Sequence, residues 1–152
     1  MKVVLQRVTY ASVTDRANGY TQEIGLGLAV LLGVGYNDTQ EDIDYLCKKI
    51  AALRIFDDQD GVMNRSVADV GGEILLVSQF TLMARTAKGN RPSYIDAARA
   101  EVSEPLYQAF KDTLQRLLPH KPIRTGVFGA DMLVQIHNSG PVTIIMDSQN
   151  RF

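Results

Sequence analysis

The chain has 152 residues, a formal net charge of −1, and hydrophobic and charged shares of 45% and 22%. This length fits one domain with a core of its own, and the composition is ordinary for a soluble globular protein. No apolar run is long enough to span a bilayer, and Gln6 and Arg7 interrupt the stretch that a signal peptide would keep apolar. We therefore expect a single cytoplasmic domain over residues 1–152, without membrane contact. The lack of a basic excess excludes a protein that binds nucleic acid through an overall positive surface.

The first third of the chain predicts two strands and a helix. Apolar and β-branched residues fill 3–13 and 26–34, and Asn18-Gly19 between them is a two-residue hairpin signal. Residues 39–53 predict a helix that begins after Thr39, because apolar residues recur there at three- and four-residue spacing. The single cysteine, Cys47, lies on the apolar face of this helix, so we expect a buried thiol and no disulfide.

The rest of the chain predicts four strands and a second helix. The strands cover residues 54–56, 73–80, 131–138 and 142–147, the helix covers 103–118, and 57–61 and 83–94 are a turn and an irregular segment. Ser103 is the expected helix cap, with Pro105 in the first turn. The turn lacks the bidentate Glu of a calcium loop, so we expect no metal there. The order β-β-α-β-β-α-β-β predicts a mixed α/β fold, and its many apolar strands suit packing against a second subunit.

Two segments stand out as a candidate site. Ser78-Gln79-Phe80-Thr81-Leu82 follows one apolar run, and Asn138-Ser139-Gly140-Pro141-Val142-Thr143 separates two others. Strand ends that carry hydroxyls, amides and a Gly-Pro step are suited to hold a ligand through backbone groups. A Gly-Pro step fits either an ordinary tight turn with a trans bond or a rigid tip with a cis bond, and the residues alone leave both open.

The residues offer hydrogen-bond donors and shape without an obvious general base. Ser78, Thr81 and Thr143 are candidate hydroxyls, but neither segment contains a carboxylate, and His120 and His137 are more typical of packed or hydrogen-bonded residues. No cluster has zinc spacing and no phosphate-binding loop is present. An ester could still be cleaved if the substrate supplied the proton carrier, as the 2′-hydroxyl of a terminal ribose does beside a 3′-ester.

Two other interpretations remain open at this stage. A Ser or Thr nucleophile could make the chain an esterase with another acyl substrate, or the same pocket could belong to a non-catalytic dimeric module that binds nucleotides or nucleic-acid ends. Any contact with RNA must be local, and Arg85, Lys88 and Arg91 are the candidate basic patch, with a solvated loop as the alternative.

Both segments, in this order and in a chain of this length, resemble the signature of the D-aminoacyl-tRNA deacylase family, also called D-tyrosyl-tRNA deacylase. Further stretches agree over essentially the whole chain, namely residues 5–8, 11–13, 31–34, 54–56, 63–64, 91–93 and 130–132. The resemblance implies a single-domain fold with a mixed barrel-like sheet, two main helices and a homodimeric state. It implies hydrolysis, without a metal or other cofactor, of the ester between a D-amino acid and the 3′-terminal adenosine of tRNA. Glycyl-tRNA should also be accepted, since glycine has no side chain to reject.

The resemblance also implies roles for individual residues. Gly140 and Pro141 would form a cis tip that enters the partner subunit's pocket and rejects L-amino acids. Ser78, Gln79, Phe80 and Thr81 would be the catalytic segment that lines the pocket, with backbone N–H groups near Gln79 and Phe80 facing the scissile carbonyl and Phe80 beside the adenine. Three residues around the tip would also take part in substrate binding, namely Asn138, Thr143 and Arg7. Thr143 would support the tip, and Arg7 would brace it. Without the resemblance, Arg7 reads equally well as a surface charge on an edge strand.

Overall fold

The computed structural model describes residues 1–151 and contains eight strands, two α-helices and one 3₁₀ helix within them. The strands are β1 (Lys2–Asp15), β2 (Thr21–Ile24), β3 (Gly27–Gly33), β4 (Phe56–Asp57), β5 (Met63–Arg65), β6 (Glu73–Ser78), β7 (Arg124–Thr125) and β8 (Met132–Asp147). The helices are α1 (Gln40–Ala52) and α2 (Ala100–Leu117), and the 3₁₀ helix is Phe80–Met83. The sequence predicted both helices and the long strands, but it missed the three short strands β2, β5 and β7.

The main sheet is mixed, as predicted. β1 lies at its centre and pairs antiparallel with β8 on one side and with β2 and β3 on the other, whereas β3–β6 and β6–β7 are parallel pairs. The sheet curls until β7 approaches β2, where Arg124 Nη1 donates to Gln22 Oε1 at 3.3 Å. The result is a nearly closed, barrel-like sheet with two helices, which confirms the predicted fold class.

The last strand differs from the sequence prediction of two separate strands. β8 is one strand of 16 residues that pairs with β1 on both sides of the Gly-Pro step. Residues 132–138 pair with positions 8–15 of β1, and residues 143–147 pair with positions 2–6. Four residues, 139–142, are therefore looped out opposite the single residue Arg7. The prediction of a break was wrong because the Gly-Pro step makes a bulge inside one ladder instead of ending the strand.

The strand before the first candidate segment is shorter than predicted. β6 ends at Ser78, and the backbone N–H of Gln79 makes one more bond, to the carbonyl of Leu32 at 2.7 Å. The chain then turns into the 3₁₀ helix, where Leu82 N–H donates to the Gln79 carbonyl at 3.2 Å. The predicted strand to Phe80 was wrong by two residues because local turn bonds replace the ladder there.

The two α-helices test the capping predictions. Thr39 is the N-cap of α1, as predicted, and its N–H donates to Asp42 Oδ2 at 2.8 Å. The predicted cap of α2 was wrong, since the helix begins at Ala100 after Arg99. Ser103 lies inside the helix, where its hydroxyl donates to the Arg99 carbonyl at 3.0 Å. Pro105 is consequently in the second turn and removes one helical hydrogen bond.

The core occupies both faces of the sheet. Alternate residues of β3 point to opposite sides, so that Leu28 and Val30 pack under the helices while Ala29 packs in a second cluster with β1 and β8. Cys47 is buried in the helix-covered core, as predicted, and its burial raises the pKa of the thiol to about 12. No helix within residues 1–151 has the length and apolar character needed to cross a bilayer.

The close contact between β3 and β6 generates a stability prediction. A Cβ added to Gly27 would stand 1.9 Å from the backbone carbonyl oxygen of Glu73, whereas a Cβ added to Gly25 meets only the flexible Glu73 carboxylate at 3.7 Å. We expect Gly27→Ala to lower the free energy of unfolding by about 2 kcal/mol or more, because the backbone of β6 must move. Gly25→Ala, the matched control, should stay within about 0.5 kcal/mol of the parent. Equal denaturation midpoints for the two variants would contradict this packing.

Candidate active site

The bulge of β8 is held at its base by Arg7. The Arg7 side chain is only 11% exposed; Nε donates to the Ser139 carbonyl at 3.0 Å, and Nη1 donates to the Ile55 carbonyl at 2.8 Å. Nη1 also lies 3.1 Å from Asp57 Oδ1. One guanidinium therefore ties the bulge to the segment before β4, and Arg7 is not a free surface charge.

Gly140 occupies a position that excludes other residues. Its φ of +132° is disfavoured for residues with a Cβ, and an added Cβ would lie 2.7 Å from Val142 Cγ2 and 3.0 Å from Arg7 Nη2. The Gly140-Pro141 peptide bond is cis, and both residues are exposed. The tip of the bulge thus presents the backbone of a Gly-Pro pair to the outside of the molecule.

Asn138 and Thr143 close the neck of the bulge. Asn138 Oδ1 accepts from the Val142 N–H at 2.9 Å, and Asn138 Nδ2 donates to Thr143 Oγ1 at 3.1 Å. Gln6 Nε2 also donates to Thr143 Oγ1, at 3.0 Å. Both ends of the Asn138 amide are therefore bonded within the bulge, and Asn138 and Thr143 shape the tip.

The segment after β6 offers a different pair of backbone donors from the pair expected. The Gln79 N–H is already bonded to the Leu32 carbonyl, so the expectation that it faces a ligand was wrong. The N–H groups of Phe80 and Thr81 begin the 3₁₀ helix and have no hydrogen-bond partner within residues 1–151. The Gln79 side chain turns inward, where Nε2 donates to Thr81 Oγ1 at 2.5 Å.

A cavity of about 370 Å³ opens beside this segment. Ser78, Gln79 and Phe80 line it, whereas Thr81 does not. Sequence reasoning missed its other walls, which come from the ends of β3 and β6, from α2 and the residues before it, and from the start of β8 and the residues before it: Leu32, Val34, Val77, Ala98, Ala100, Ser103, Tyr107, Phe128, Gly129, Ala130, Asp131, Met132 and Val134. Residues 130–132 already matched the family pattern and could have signalled this wall.

The cavity is mostly apolar and contains no histidine. The Tyr107 hydroxyl donates to the Leu76 carbonyl at 3.0 Å, and its burial raises the pKa of Tyr107. His137 packs against Tyr10 with 5.1 Å between ring centroids, and His120 lies 3.4 Å from the Gly72 carbonyl. Asp131 supplies a carboxylate to the lining, but this side chain is largely exposed and lies 3.9 Å from Arg16.

The two segments that were predicted to form the site, residues 78–82 and 138–143, lie apart within one chain. None of the bulge residues 138–143 lines the 370 Å³ cavity. In the register of the sheet, Ser78 lies beside Leu32 and Leu32 lies beside Val3, whereas the bulge faces Arg7. Four residues of β1 span about 13 Å, and three strand spacings of about 4.8 Å also separate β8 from β6. The structure therefore groups Ser78, Gln79 and Phe80 in one place and the bulge residues with Arg7 in another.

The predicted basic patch is smaller than expected. Arg85 pairs with Asp96 through both Nε and Nη2, the latter at 2.7 Å, and these hydrogen bonds hold the pKa of the Asp96 carboxyl below its usual value. Part of the charge of Arg85 is therefore neutralised within its own chain. Lys88 and Arg91 are exposed and form no ion pair with residues 1–151. Within those residues, no cluster of three or more His, Cys, Asp or Glu side chains is placed to hold a metal ion.

Known proteins resemble the chain in both sequence and fold. The chain is 57% identical to a D-aminoacyl-tRNA deacylase of Bacteroides thetaiotaomicron, with 99% of each protein covered. A solved structure described as a c-Myc DNA unwinding element binding protein is 44% identical, with a TM-score of 0.90 and coverage of 97% and 98%. A structure described as "a probable eukaryotic D-amino acid tRNA deacylase" shares the fold, with a TM-score of 0.81, 16% identity and coverage of 95% and 97%. Residues 4–147 match the family described as D-Tyr-tRNA(Tyr) deacylase, and the chain belongs to that family.

Proposed function

We propose that the chain hydrolyses the ester between a D-amino acid and the 3′-terminal adenosine of tRNA, and that it also accepts glycyl-tRNA. The observation that carries this proposal is a cavity bounded by Ser78, Gln79 and Phe80, in which the backbone N–H of Phe80 has no partner in residues 1–151, in a member of the deacylase family. The protein would act as a single domain in the cytoplasm, where charged tRNA is found, and without a cofactor.

The proposed chemistry uses a backbone donor and a proton carrier from the substrate. Water attacks the ester carbonyl, and the backbone N–H of Phe80, a residue that lines the cavity, stabilises the oxyanion of the tetrahedral intermediate. The bond to the ribose 3′-oxygen then breaks, and the products are the free amino acid and the tRNA 3′-hydroxyl. The adjacent 2′-hydroxyl relays the proton, because no histidine lines the cavity and its only carboxylate, Asp131, is exposed near Arg16.

A hydroxyl nucleophile is the competing mechanism within enzymes. Thr81 does not line the cavity, and its hydroxyl accepts a bond from Gln79 Nε2. Ser78 lines the cavity, but no base is bonded to its hydroxyl in residues 1–151. A serine or threonine without a base within hydrogen-bond reach is a weak nucleophile.

The two mechanisms differ in what Thr81→Ala and a 2′-deoxy substrate should do. We expect the kcat/KM of Thr81→Ala and of Ser78→Ala to stay within about tenfold of the parent, whereas loss of a covalent nucleophile costs on the order of 10⁶-fold. A substrate ending in 2′-deoxyadenosine should react at least about a hundredfold more slowly, because it lacks the proton carrier. Thr86→Ala is the matched control for an exposed threonine. Covalent trapping of Ser78 or Thr81 by an acyl phosphonate would overturn the proposed chemistry.

We also propose that the bulge completes the cavity of a second subunit. The tip is exposed and outside its own chain's cavity, and β8 pairs only with β1, so one edge of this long strand has no partner in residues 1–151. That strand also exposes Leu133 and Ile145, at 46% and 59%. Long edge strands with apolar side chains are normally covered, and a homodimer would cover this one.

Subunit mixing tests this arrangement. Gly140→Ala should distort the tip. Phe80→Pro should remove the proposed oxyanion donor, at the start of a helix, where proline is tolerated. Each variant alone should be inactive. After unfolding and refolding together in equal amounts, half of the dimers should contain one intact site, which restores about a quarter of the parent activity. Phe80→Leu is the control for loss of the ring. A mixture that stays inactive while sedimentation shows dimers would place the tip in its own chain's site.

The bracing role of Arg7 predicts an effect on activity and selectivity. We expect the parent to release labelled tyrosine from D-Tyr-tRNA and not from L-Tyr-tRNA, with a chelator present. Arg7→Ala should lower release from the D-substrate by about a hundredfold, because the bulge loses the bonds that hold it and small displacements of positioning groups are costly. Arg65→Ala is a matched control, since Arg65 lines the small cavity beside the bulge but bonds only to the Asp69 carbonyl.

Other outcomes of that assay favour the competing functions. Equal release from both tRNAs by the parent would indicate an unselective esterase and would leave no role for the tip. Binding of adenosine-ended nucleic acid without release from either substrate would favour the non-catalytic module. Nucleic-acid binding should be measured beside hydrolysis, because a solved structure similar to the chain is described as a DNA unwinding element binding protein.

A further inference from the structure

An exposed apolar surface continues outward from the cavity. Phe80, which lines the cavity, meets Tyr94 edge to face, with 5.1 Å between ring centroids and an interplanar angle of 71°. Phe80 and Tyr94 are 57% and 40% exposed, and the next residue, Ile95, is 70% exposed. Contiguous exposed apolar residues at the mouth of a cavity mark a binding surface more often than isolated ones do.

The backbone that presents Tyr94 is fixed at both ends. Ser93 and Arg85 exchange two backbone hydrogen bonds, at 2.8 and 3.0 Å, and the Arg85 side chain also pairs with Asp96. On the other side, Ala97 N–H donates to the Tyr94 carbonyl and Ala98 N–H donates to the Val34 carbonyl, both at 3.0 Å. An aromatic ring is therefore held open to solvent on an ordered segment, which lowers the entropy lost when it binds a ligand.

Two cationic residues lie between Arg85 and Ser93, in the segment whose ends are joined by the two backbone hydrogen bonds. Lys88 and Arg91 are exposed and make no ion pair with residues 1–151, in contrast to Arg85. Aromatic rings that stack on bases, combined with lysine and arginine near the phosphates, are the usual surface for single-stranded nucleic acid. The surface therefore has the chemistry for an unpaired polynucleotide, whereas a purely apolar partner would leave the two cations unused.

We propose that Tyr94 stacks on the unpaired nucleotide that precedes the terminal adenosine of tRNA, with Lys88 and Arg91 near the neighbouring phosphates. The inference rests on the proposed function, which places the ester of the terminal adenosine in the cavity at the backbone N–H of Phe80. A strand that leaves that cavity past Phe80 next meets Tyr94, because the two rings are in contact. Tyr94 is thus a residue that binds the RNA strand and takes no part in the chemistry.

The test compares a full tRNA with the smallest ester that fits the cavity. Tyr94→Leu keeps an apolar side chain against Phe80 but removes the stacking face, Tyr94→Phe keeps that face, and Tyr20→Leu removes another exposed tyrosine, in the β1–β2 turn. We expect Tyr94→Leu to lower kcat/KM for D-Tyr-tRNA by about 5- to 150-fold, the value of one base–aromatic stack, with the loss in KM. Its kcat/KM for the D-tyrosyl ester of adenosine should be unchanged, and Tyr94→Phe and Tyr20→Leu should resemble the parent on both substrates.

Three results would overturn the proposal. The first is an equal loss of kcat/KM on both substrates, which would mean that Tyr94 acts only by packing against Phe80. The second is an unchanged kcat/KM on the tRNA. The third is dissociation of Tyr94→Leu into monomers in sedimentation, which would assign the surface to a subunit contact.

Binding measurements keep the proposal separate from catalysis. A fluorescent cytidine-cytidine-adenosine trinucleotide should bind more weakly to Tyr94→Leu than to the parent, whereas adenosine monophosphate should bind both equally. If the parent hydrolyses neither ester, the proposed function fails, and this comparison still decides whether Tyr94 binds the strand. Equal trinucleotide affinities for parent and Tyr94→Leu would overturn the inference. Replacing Lys88 and Arg91 with glutamine should also reduce the salt dependence of trinucleotide binding.

Discussion

The contact between Arg7 and the bulge of β8 is the constraint on which the candidate site depends. β1 is the central strand, and its ladder with β8 is interrupted twice: four residues of β8 face one of β1 at Arg7, and one extra residue of β1 lies between Val8 and Tyr10. A looped-out segment of this kind would be free to move if nothing replaced the missing ladder bonds. Arg7 replaces them by donating to the carbonyls of Ser139 and Ile55, and its low exposure strengthens these charge-assisted bonds. A charged residue in the central strand thus sets the position of an exposed Gly-Pro tip.

The cavity depends on a separate feature, the abrupt end of β6. The parallel β3–β6 pair stops at Ser78, and the chain turns at once into a short helix whose first N–H groups have no internal acceptor in residues 1–151. The Tyr107 hydroxyl is bonded to the carbonyl of Leu76 in the same strand, which fixes α2 as the opposite wall. Sheet, 3₁₀ helix and α2 therefore meet around one volume.

The sequence could predict the features that depend on local pattern. Thr39 and the apolar stripe of α1 defined that helix almost to the residue, because capping and periodicity act over a few residues. Ser103 failed as a cap because its hydroxyl bonds back to Arg99 inside the helix, a choice that the residue type does not determine. The break expected at Pro141 failed for a different reason. Whether two apolar runs form separate strands depends on their register with β1, which is a long-range property.

The same distinction explains which parts of the site could be predicted. Phe80 could be predicted to line the cavity because its segment carries an unusual residue pattern, whereas Tyr107 resembles any apolar residue on a helix face. The Gln79 N–H could not be excluded from sequence, since its bond to Leu32 depends on where the β3–β6 pair ends.

The combination of a braced tip and a cavity without a histidine has a consequence for selectivity. A site that supplies only donors and shape depends on how the substrate's own hydroxyl and carbonyl are placed. A substrate that is shifted by a wrongly directed side chain then loses its proton carrier and its oxyanion donor together. Under the proposed mechanism, chiral selection and catalysis would follow from the same geometry, and a rigid tip would contribute more than an additional reactive side chain.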